Sequence, residues 1–227
     1  MLKHLLILVV FCGIAPLAAA DKPAGTLLDR EPEGWMDLLA GNGLRDWKRV
    51  PLSPDTQLNA KNPWTLTDGI LQCDGVGIKE MLLFDREFED GVLHVEWRFR
   101  PAEGKQDYNS GIYIRSRDDG RIWHQVQVVH QEQRPLAGDL FGDLPVNGQI
   151  ERVVVPGKGH EFVHPPGEWN TFEITAAGKT VSVAVNGKPA VRWDKCEIAK
   201  GRVGLQAEFY FIEFRSVKYR PAAKSAE

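Results

Sequence analysis

Hydrophobic and polar residues alternate along most of the chain after residue 60. The clearest alternation follows Asp90-Gly91, where one face is apolar and the opposite face is polar. The apolar face holds Leu93, Val95, Trp97 and Phe99, and the polar face holds His94, Glu96, Arg98 and Arg100. A period of two residues is typical of β-strands, so this pattern predicts strands that bury one face against a core.

Short turn signals separate the predicted strands. They are Asp68-Gly69, Asp90-Gly91, Ala177-Gly178 and Asn186-Gly187. Such pairs favour tight turns between antiparallel strands. Sustained helical periodicity is missing, and GWMDLLAG (34–41) predicts at most one or two helical turns. We therefore predict an all-β fold, an antiparallel β-sandwich of the jelly-roll type.

Residues 131–168 interrupt the strand pattern. This segment is rich in Gly, Pro and Asp and contains GDLFGDLPVNG and VVVPGKGHEFVHPPGEW. We interpret it as a long loop insertion over one face, since such loops are usually functional or mobile. No repeat or linker divides the chain, which predicts a single domain over residues 21–227 with its core at about 34–221.

The first twenty residues have the pattern of a secretory signal peptide. Lys3 gives a basic start, an apolar run extends from Leu5 to Cys12, and small residues lead to Ala20. The run is too short for a membrane span, so cleavage after Ala20 and a secreted or periplasmic location are predicted. A net charge of -3 gives no basic footprint. Nucleic acid and, after cleavage, membrane are therefore not expected as partners.

Two cysteines, Cys73 and Cys196, remain after the predicted cleavage. In an exported protein they could form a disulfide that closes a long loop. Two separately buried thiols are an equally good interpretation of the sequence. The Cys and His spacing matches no zinc site.

The segment IWHQVQVVH places two amides and an indole on one side of a predicted strand. Trp123, Gln125 and Gln127 share this side, and Val126 and Val128 lie opposite them, with His124 and His130. An indole can stack on the apolar face of a sugar ring while amides bond its hydroxyls. The alternative is that these residues fill the core, but buried amides without partners are costly. We therefore predict a carbohydrate-binding face.

The stretch NSGIYIR (109–115) begins with turn residues and continues as a strand. Asn109 can bond hydroxyl groups, and Gly111 can let a ligand or a neighbouring backbone approach closely. Alternation places Tyr113 and Arg115 on one side, away from the isoleucines. We predict that Asn109, Tyr113 and Arg115 bind substrate together with Trp123, Gln125 and Gln127, with Arg115 holding a substrate oxygen.

Several segments together resemble a known family. They are GWMDLLAGNGLRDWK, NSGIYIR, PPGEWNTFEI, VNGKPAVRW and FRSVKYRP. The chain is similar over residues 34–221 to the 3-keto-disaccharide hydrolase domain family. The resemblance implies a concanavalin-like jelly roll of two antiparallel sheets. It also implies that a 3-keto sugar is split from its partner by hydrolysis or elimination.

The implied chemistry follows from the ketone. A carbonyl at C3 acidifies the proton at C2, so a base can remove that proton and expel the group at C1. The catalyst needs a base, a group that stabilises the enolate, and a proton donor for the leaving oxygen.

The chain departs from the family at the positions that would supply this chemistry. Many relatives have Tyr-Glu-x-Gln-x-x-Asp where this chain has residues 124–130, and Leu-Gln-Asp-His-Gly where it has residues 205–209. Glu208 takes the family's His position and is a candidate acid or base. His130 takes an Asp position and is a candidate base or metal ligand, or alternatively a hydrogen-bonded histidine at a strand end.

Glu96 is the third catalytic candidate. It lies on the polar side of its strand and would sit beside NSGIYIR if the two strands pair. The alternative is a solvated carboxylate that pairs across the strands with Arg115.

No cofactor is assigned from the sequence. Asp139 and Asp143 in GDLFGD could bind a divalent cation such as calcium, but their spacing is not that of an EF-hand loop and favours a turn. The function predicted is a hydrolase or lyase that cleaves 3-keto glycosides, with carbohydrate as its partner. A non-catalytic carbohydrate-binding module is the main alternative, and a structural cell-surface domain is a weaker one.

Overall fold

The alternation seen in the sequence becomes strands throughout the computed structural model, which describes residues 25–41, 43–53, 55–75 and 79–223. The predicted signal peptide, residues 1–20, lies outside the described residues. Among the described residues, no helix has the length and hydrophobicity that a bilayer crossing requires.

Strands account for most of the regular structure. Their bounds are β1 Met36–Asp37, β2 Trp47–Pro51, β3 Trp64–Thr67, β4 Ile70–Cys73, β5 Glu80–Phe88, β6 Gly91–Phe99, β7 Tyr108–Ser116, β8 Trp123–His130, β9 Leu140–Val146, β10 Gln149–Val155, β11 Asn170–Ala177, β12 Thr180–Val185, β13 Lys188–Trp193, β14 Gly201–Ala207 and β15 Ile212–Pro221. Helical structure in the described residues is limited to α1, Leu27–Arg30, and a 3₁₀ turn, Gly159–Glu161.

The strands form two antiparallel sheets that confirm the predicted jelly-roll sandwich. Within the described residues, sheet A has the order β13-β12-β11-β6-β15-β4-β3, with β1 paired to β15, and sheet B has the order β10-β9-β8-β7-β14-β5-β2. Neighbours in sequence often lie in different sheets, as β6 and β7 do. This arrangement places consecutive amphipathic strands on opposite sides of one core.

The core lies between the inner faces of the two sheets. The apolar face of β6 contributes Leu93, Val95, Trp97 and Phe99, all of them buried. The Trp97 ring meets Phe172 of β11 edge to face, with 5.3 Å between ring centroids. The alternation in β6 therefore predicted its buried face correctly.

Two segments differ from the structure that their sequence pattern indicated. GWMDLLAG forms no helical turn; instead its residues Met36 and Asp37 form β1 against β15. Much of the predicted loop insertion is the hairpin of β9 and β10, joined by Asn147-Gly148. Both turn residues have positive φ, 53° and 79°, as the tightest hairpin turns require. Pro145 is tolerated because β8 pairs only with residues 140–143 of β9.

Arg115 does not share a face with Tyr113, contrary to the sequence prediction. Its φ is +47°, and the pairing of β14 with β7 shifts register at this point. Such a bulge reverses the side-chain alternation, so Arg115 points into the end of the sandwich and is 2 % exposed. The expectation that Arg115 faces the same concavity as Gln127 is therefore wrong.

The buried guanidinium of Arg115 joins three connecting segments at this end of the sandwich. Nη1 donates to the carbonyl oxygens of Gly178 at 2.9 Å and Ile198 at 2.8 Å. Nη2 donates to Asp90 Oδ1 at 2.7 Å, and Asp90 Oδ2 accepts from the Gly178 amide at 2.8 Å. Arg115 is thus part of the fold, and its hydrogen bonds offset the cost of its backbone conformation.

Cys73 and Cys196 are separate buried thiols, so the two cysteines do not form a disulfide. Burial raises the pKa of the Cys73 thiol to about 12. The Cys196 sulfur lies 3.7 Å from Arg115 Nη1 and belongs to the same end of the sandwich.

The polar face of β6 lies on the outer face of sheet A. Its charged side chains pair with each other and with charged side chains of β11 and β15. The His94 ring contacts Glu173 Oε1 through Nδ1 at 3.2 Å and Glu96 Oε1 through Nε2 at 3.4 Å. Glu173 also accepts the backbone N–H groups of Leu27 and Leu28 at the start of α1, at 2.7 and 3.2 Å. This cluster fixes the N-terminal segment to sheet A.

Glu96 accordingly lies in a different sheet from NSGIYIR, its predicted neighbour. Strand β6 pairs with β11 and β15, not with β7. The Glu96 carboxylate accepts a hydrogen bond from Arg215 Nε rather than from Arg115. The expectation that Glu96 sits beside NSGIYIR is wrong, because periodicity identifies the wet face of a strand but not the sheet to which the strand belongs.

We expect Arg115→Met to lower the free energy of unfolding by about 3 kcal/mol, since it removes the buried donor of the Gly178 and Ile198 carbonyls and of Asp90. Urea unfolding measures the loss. Arg192→Met is the matched control: Arg192 pairs with Asp194 on the surface, and its loss should change stability by less than about 0.5 kcal/mol. Equal effects of the two substitutions would contradict the role given to Arg115.

We expect stability to fall as pH rises above neutrality because of His94. Burial opposes charging of this imidazole, but its hydrogen bonds to Glu173 and Glu96 prevail and raise its pKa above 6.5. The folded protein therefore binds this proton more tightly than the unfolded chain, so the stabilisation is complete below pH 6.5 and disappears as pH rises through the folded-state pKa. Urea unfolding from pH 6 to pH 9 should show this slope, and His94→Gln should flatten it. An identical slope in both proteins would show that another group titrates.

Candidate functional site

A row of four side-chain amides crosses the outer face of sheet B, the face turned away from sheet A. We call it the amide row; it consists of Gln206 on β14, Gln125 and Gln127 on β8, and Asn109 on β7. Gln125 Nε2 donates to Gln127 Oε1 at 3.0 Å and to Gln206 Oε1 at 3.4 Å. Gln127 Nε2 donates to Asn109 Oδ1. Strand alternation places all four side chains on this face.

Gly111, the third residue of NSGIYIR, leaves the space that a side chain of the amide row occupies. A β-carbon at residue 111 would lie 2.5 Å from Cδ and 2.7 Å from Cγ of Gln125. The Gln125 side chain therefore lies flat across the glycine and is only 6 % exposed. The close approach predicted at Gly111 is real, but the group that approaches is a neighbouring side chain, not a ligand or a backbone.

Trp123 marks the other end of the face. Its Nε1 donates to Asp143 Oδ2 at 2.9 Å, and Asp143 Oδ1 accepts from Arg152 Nε at 2.5 Å. The Arg152 guanidinium lies 5.0 Å from the Trp123 ring centroid. Arg152 therefore covers one side of the Trp123 ring. Asp143, which also accepts the hydrogen bond of that indole, holds Arg152 in place.

A groove of about 580 Å³ runs between the Trp123 end and the amide row. Its walls come from β7, β8, β9, β10, β14 and the segment after β2. The lining residues are Leu52, Ser53, Tyr113, Gly120, Arg121, Trp123, Gln125, Asp143, Ile150, Arg152 and Gln206. The volume is within the range of small-molecule sites and is lined by aromatic, amide and charged groups together.

Tyr113 forms part of the groove wall and keeps a buried hydroxyl. Its ring packs with Val50, Met81 and Leu83 and is 0 % exposed. Within the described residues, its hydroxyl has no hydrogen-bond partner. Burial, and secondarily the charge of Glu208, raise the pKa of Tyr113 well above 10, so the phenol is neutral and able to donate a hydrogen bond.

Glu208 lies just beyond β14, two residues after Gln206 of the amide row. It is 9 % exposed, and its carboxylate is paired with the ammonium group of Lys79. After burial, the charge of Glu208 is the second cause of the raised pKa of Tyr113. A carboxylate and a lysine therefore sit together beside the amide row.

His130 ends β8 away from these groups. Alternation places it on the side of Val126 and Val128, and its register partner on β7 is the core residue Tyr108. His124 is a fully buried core histidine, and burial lowers its pKa to about 3. Neither histidine faces the amide row.

Asp139 and Asp143 have separate partners and do not converge. Asp139 is buried and accepts the Gly157 amide at 2.8 Å, whereas Asp143 binds Trp123 and Arg152. Among the described residues, no group of three or more His, Cys, Asp or Glu side chains is arranged to hold a metal ion.

The structure thus divides the nine predicted site residues into two sets. It places six on or beside the outer face of sheet B: Asn109, Tyr113, Trp123, Gln125, Gln127 and Glu208. It places Glu96, Arg115 and His130 elsewhere. The roles of all nine residues in binding or catalysis remain predictions.

Three further residues belong to the face and were not predicted from the sequence. Gln206 had a usable signal, because it alternates with Val203, Leu205 and Ala207, which are buried. Arg152 was hidden in the hairpin that was interpreted as a loop. Lys79 follows no pattern in the sequence, and only the folded chain brings it to Glu208.

We expect Gly111→Ala to disrupt the amide row. The new methyl group displaces Gln125 and breaks its bonds to Gln127 and Gln206, which should destabilise the protein by about 1–3 kcal/mol in urea unfolding. The double variant Gly111→Ala with Gln125→Ala removes the clash. Its destabilisation should be smaller than the sum of the two single effects. Additive effects would show that the glycine is required for another reason.

Comparison with solved structures confirms the fold. A candidate glycosyl hydrolase from Parabacteroides distasonis superposes with a TM-score of 0.60 at 22% identity, covering 83% of this chain and 99% of its own. The carbohydrate-binding module CBM66 from Bacillus subtilis gives 0.55 at 15% identity, over 76% and 93% of the two chains. The β-glucanase of Bacillus licheniformis gives 0.55 at 10% identity, over 83% and 97%. At these identities the likeness concerns the fold, which hosts both catalysis and binding.

No curated protein matches the chain by sequence. A family model does: the 3-keto-alpha-glucoside-1,2-lyase-like domain matches residues 34–220, the same region as the resemblance found from the motifs. The chain is therefore a carbohydrate-related domain and belongs to the 3-keto-alpha-glucoside-1,2-lyase-like family.

Proposed function

We propose that this protein cleaves 3-keto glycosides at the outer face of sheet B, with Glu208 as the base. The observation that carries the proposal is that the Glu208–Lys79 pair lies just past the end of β14, two residues after Gln206 of the amide row. A carboxylate can accept a proton, a lysine can stabilise negative charge, and amides can hold sugar hydroxyls. Family membership supports the class of substrate.

The proposed reaction is an elimination. Glu208 removes the proton from C2, and the electron pair of that bond moves toward C3, whose carbonyl oxygen becomes an enolate. The enolate then re-forms the ketone while the bond between C1 and the leaving oxygen breaks, which leaves a double bond between C1 and C2. The leaving oxygen takes up the proton, so charge and atoms balance. Addition of water at C1 would convert this elimination into net hydrolysis.

Each remaining group on the face has a role in this proposal. The Lys79 ammonium supplies positive charge for the enolate oxygen. Gln127 and Asn109 are half-buried, so their amides reach both the protein and a ligand. Trp123 closes the far end of the groove, where the leaving group would lie.

Export belongs to the same proposal. The basic, apolar and small-residue pattern of residues 1–20 supports a secreted or periplasmic enzyme. Its substrate would then be a soluble extracellular glycoside.

A carbohydrate-binding module without turnover is the second candidate. The observation that favours it is that the Glu208 carboxylate is ion-paired with Lys79, and the Asp143 carboxylate, which lines the groove, is ion-paired with Arg152. Each of these carboxylates is already occupied by a cation of the protein. In this alternative the amide row and Trp123 hold a sugar that is never cleaved.

The test compares p-nitrophenyl 3-keto-α-glucoside with p-nitrophenyl α-glucoside. We expect release of nitrophenol from the keto compound alone. Glu208→Gln should lower kcat at least about 100-fold, because an amide cannot accept the C2 proton. Exchange of the C2 proton in D₂O, followed by NMR, should be lost in the same variant.

Glu96→Gln is the matched control. Like Glu208, Glu96 is paired with a basic side chain, here Arg215, but it lies on the outer face of sheet A. Its kcat per folded molecule should stay within about twofold of the unmodified protein. Sugar binding in calorimetry without any nitrophenol release would favour the binding module. Full activity of Glu208→Gln would show that the base is another residue.

A further inference from the structure

Phe209, the residue after Glu208, combines two unfavourable features. Its φ is +58°, a left-handed conformation that is a genuine outlier for a bulky side chain. Its ring is 60 % exposed, although a phenyl group is normally buried. Both features oppose folding, so the fold alone does not explain why a phenylalanine occupies this position.

The other described non-glycine residues with positive φ have clear explanations. Asp68, Asn147 and Asn186 lie in hairpin turns, and Asp and Asn tolerate this conformation. Arg115 is held by buried hydrogen bonds. Phe209 has neither explanation.

The core does not need the Phe209 ring. The next residue, Tyr210, anchors the segment, since its ring lies 5.5 Å from Tyr108 and 6.5 Å from Phe99 between centroids. The contact found for the Phe209 ring is the Lys79 ammonium, 5.6 Å from its centroid. The same ammonium is paired with Glu208. Phe209 is thus fixed at the polar site and left open to solvent.

An open aromatic ring next to the Glu208–Lys79 pair, three residues after Gln206 of the amide row, matches the surface of a sugar. A pyranose presents C–H groups on its ring faces and hydroxyls around its edge, so it can stack on a phenyl ring while amides bond the hydroxyls. We infer that Phe209 is a stacking wall for the pyranose ring held at the amide row and Glu208. This inference rests on the proposed function, and it adds the residue that contacts the ring face.

The left-handed backbone gives this inference an unusual test. Phe209→Gly removes the ring and also relieves the strained conformation, which glycine adopts freely. We expect the affinity for methyl α-glucoside, measured by calorimetry, to fall about tenfold. KM for p-nitrophenyl 3-keto-α-glucoside should rise by a similar factor, with kcat within about twofold. Tm should stay the same or rise by up to about 4 °C. A residue that served the fold would lose stability instead.

Three controls accompany this variant. Phe209→Trp keeps a stacking surface and should restore the affinity. Asp68→Gly relieves the same backbone conformation in a turn of sheet A and should leave the affinity unchanged. Val154→Ala shortens another exposed apolar side chain, 54 % exposed on the edge strand β10, and should also leave the affinity unchanged.

Different results would overturn different conclusions. If the unmodified protein neither binds nor cleaves any of these sugars, the proposed function and this inference both fail. If it does and Phe209→Gly has unchanged Kd and KM, only the inference fails. A fall in kcat with unchanged KM would mean that Phe209 positions Lys79 instead of contacting sugar. Dissociation of a dimer in sedimentation, with sugar affinity intact, would identify a self-association contact and would equally overturn the stacking role.

Discussion

Arg115 has a left-handed backbone conformation and separates two parts of β7 that have different roles. Before it, Asn109, Gly111 and Tyr113 alternate onto the outer face of sheet B. At it, the bulge turns the chain inward, and the guanidinium joins the turns that contain Asp90 and Gly178. A regular strand would put this cation into the groove and leave the end of the sandwich open. The same bulge therefore closes the fold and leaves the face polar but uncharged at its centre.

The two outer faces of the sandwich differ in the kind of polar groups that they carry. On sheet A the charged groups are matched to one another: Glu213 accepts from Arg98 and Arg100, and His94 lies between two carboxylates. On sheet B the amide row bonds internally, yet in the described part of the chain Nδ2 of Asn109 donates to no protein group, and the Tyr113 hydroxyl has no partner. Unused hydrogen-bonding capacity beside a groove suits a polar ligand, which supports the outer face of sheet B as the candidate site.

Sequence periodicity predicted much of this correctly, because alternation depends only on neighbouring residues. It identified the inner face of β6, the paired amides of β8 and the hairpin at Asn186-Gly187. It could not assign β6 and β7 to different sheets, and Glu96 was misplaced for that reason. It could not foresee the bulge at Arg115 either, since no glycine marks it. Gly and Pro concealed the β9–β10 hairpin, although Asn147-Gly148 carried the signal for its turn.

The Glu208–Lys79 ion pair bears on both candidate functions, carbohydrate binding and catalysis. Without a ligand, the Lys79 ammonium is paired with the Glu208 carboxylate. In the proposed reaction, the oxygen of a 3-keto sugar competes for the same ammonium, and an ordinary sugar has no carbonyl at that position to do so. A ligand that draws Lys79 toward its developing enolate would release the Glu208 carboxylate from its ion pair and leave it available to accept the C2 proton. The ion pair that favours a binding module in the empty site would then restrict catalysis to the oxidised substrate.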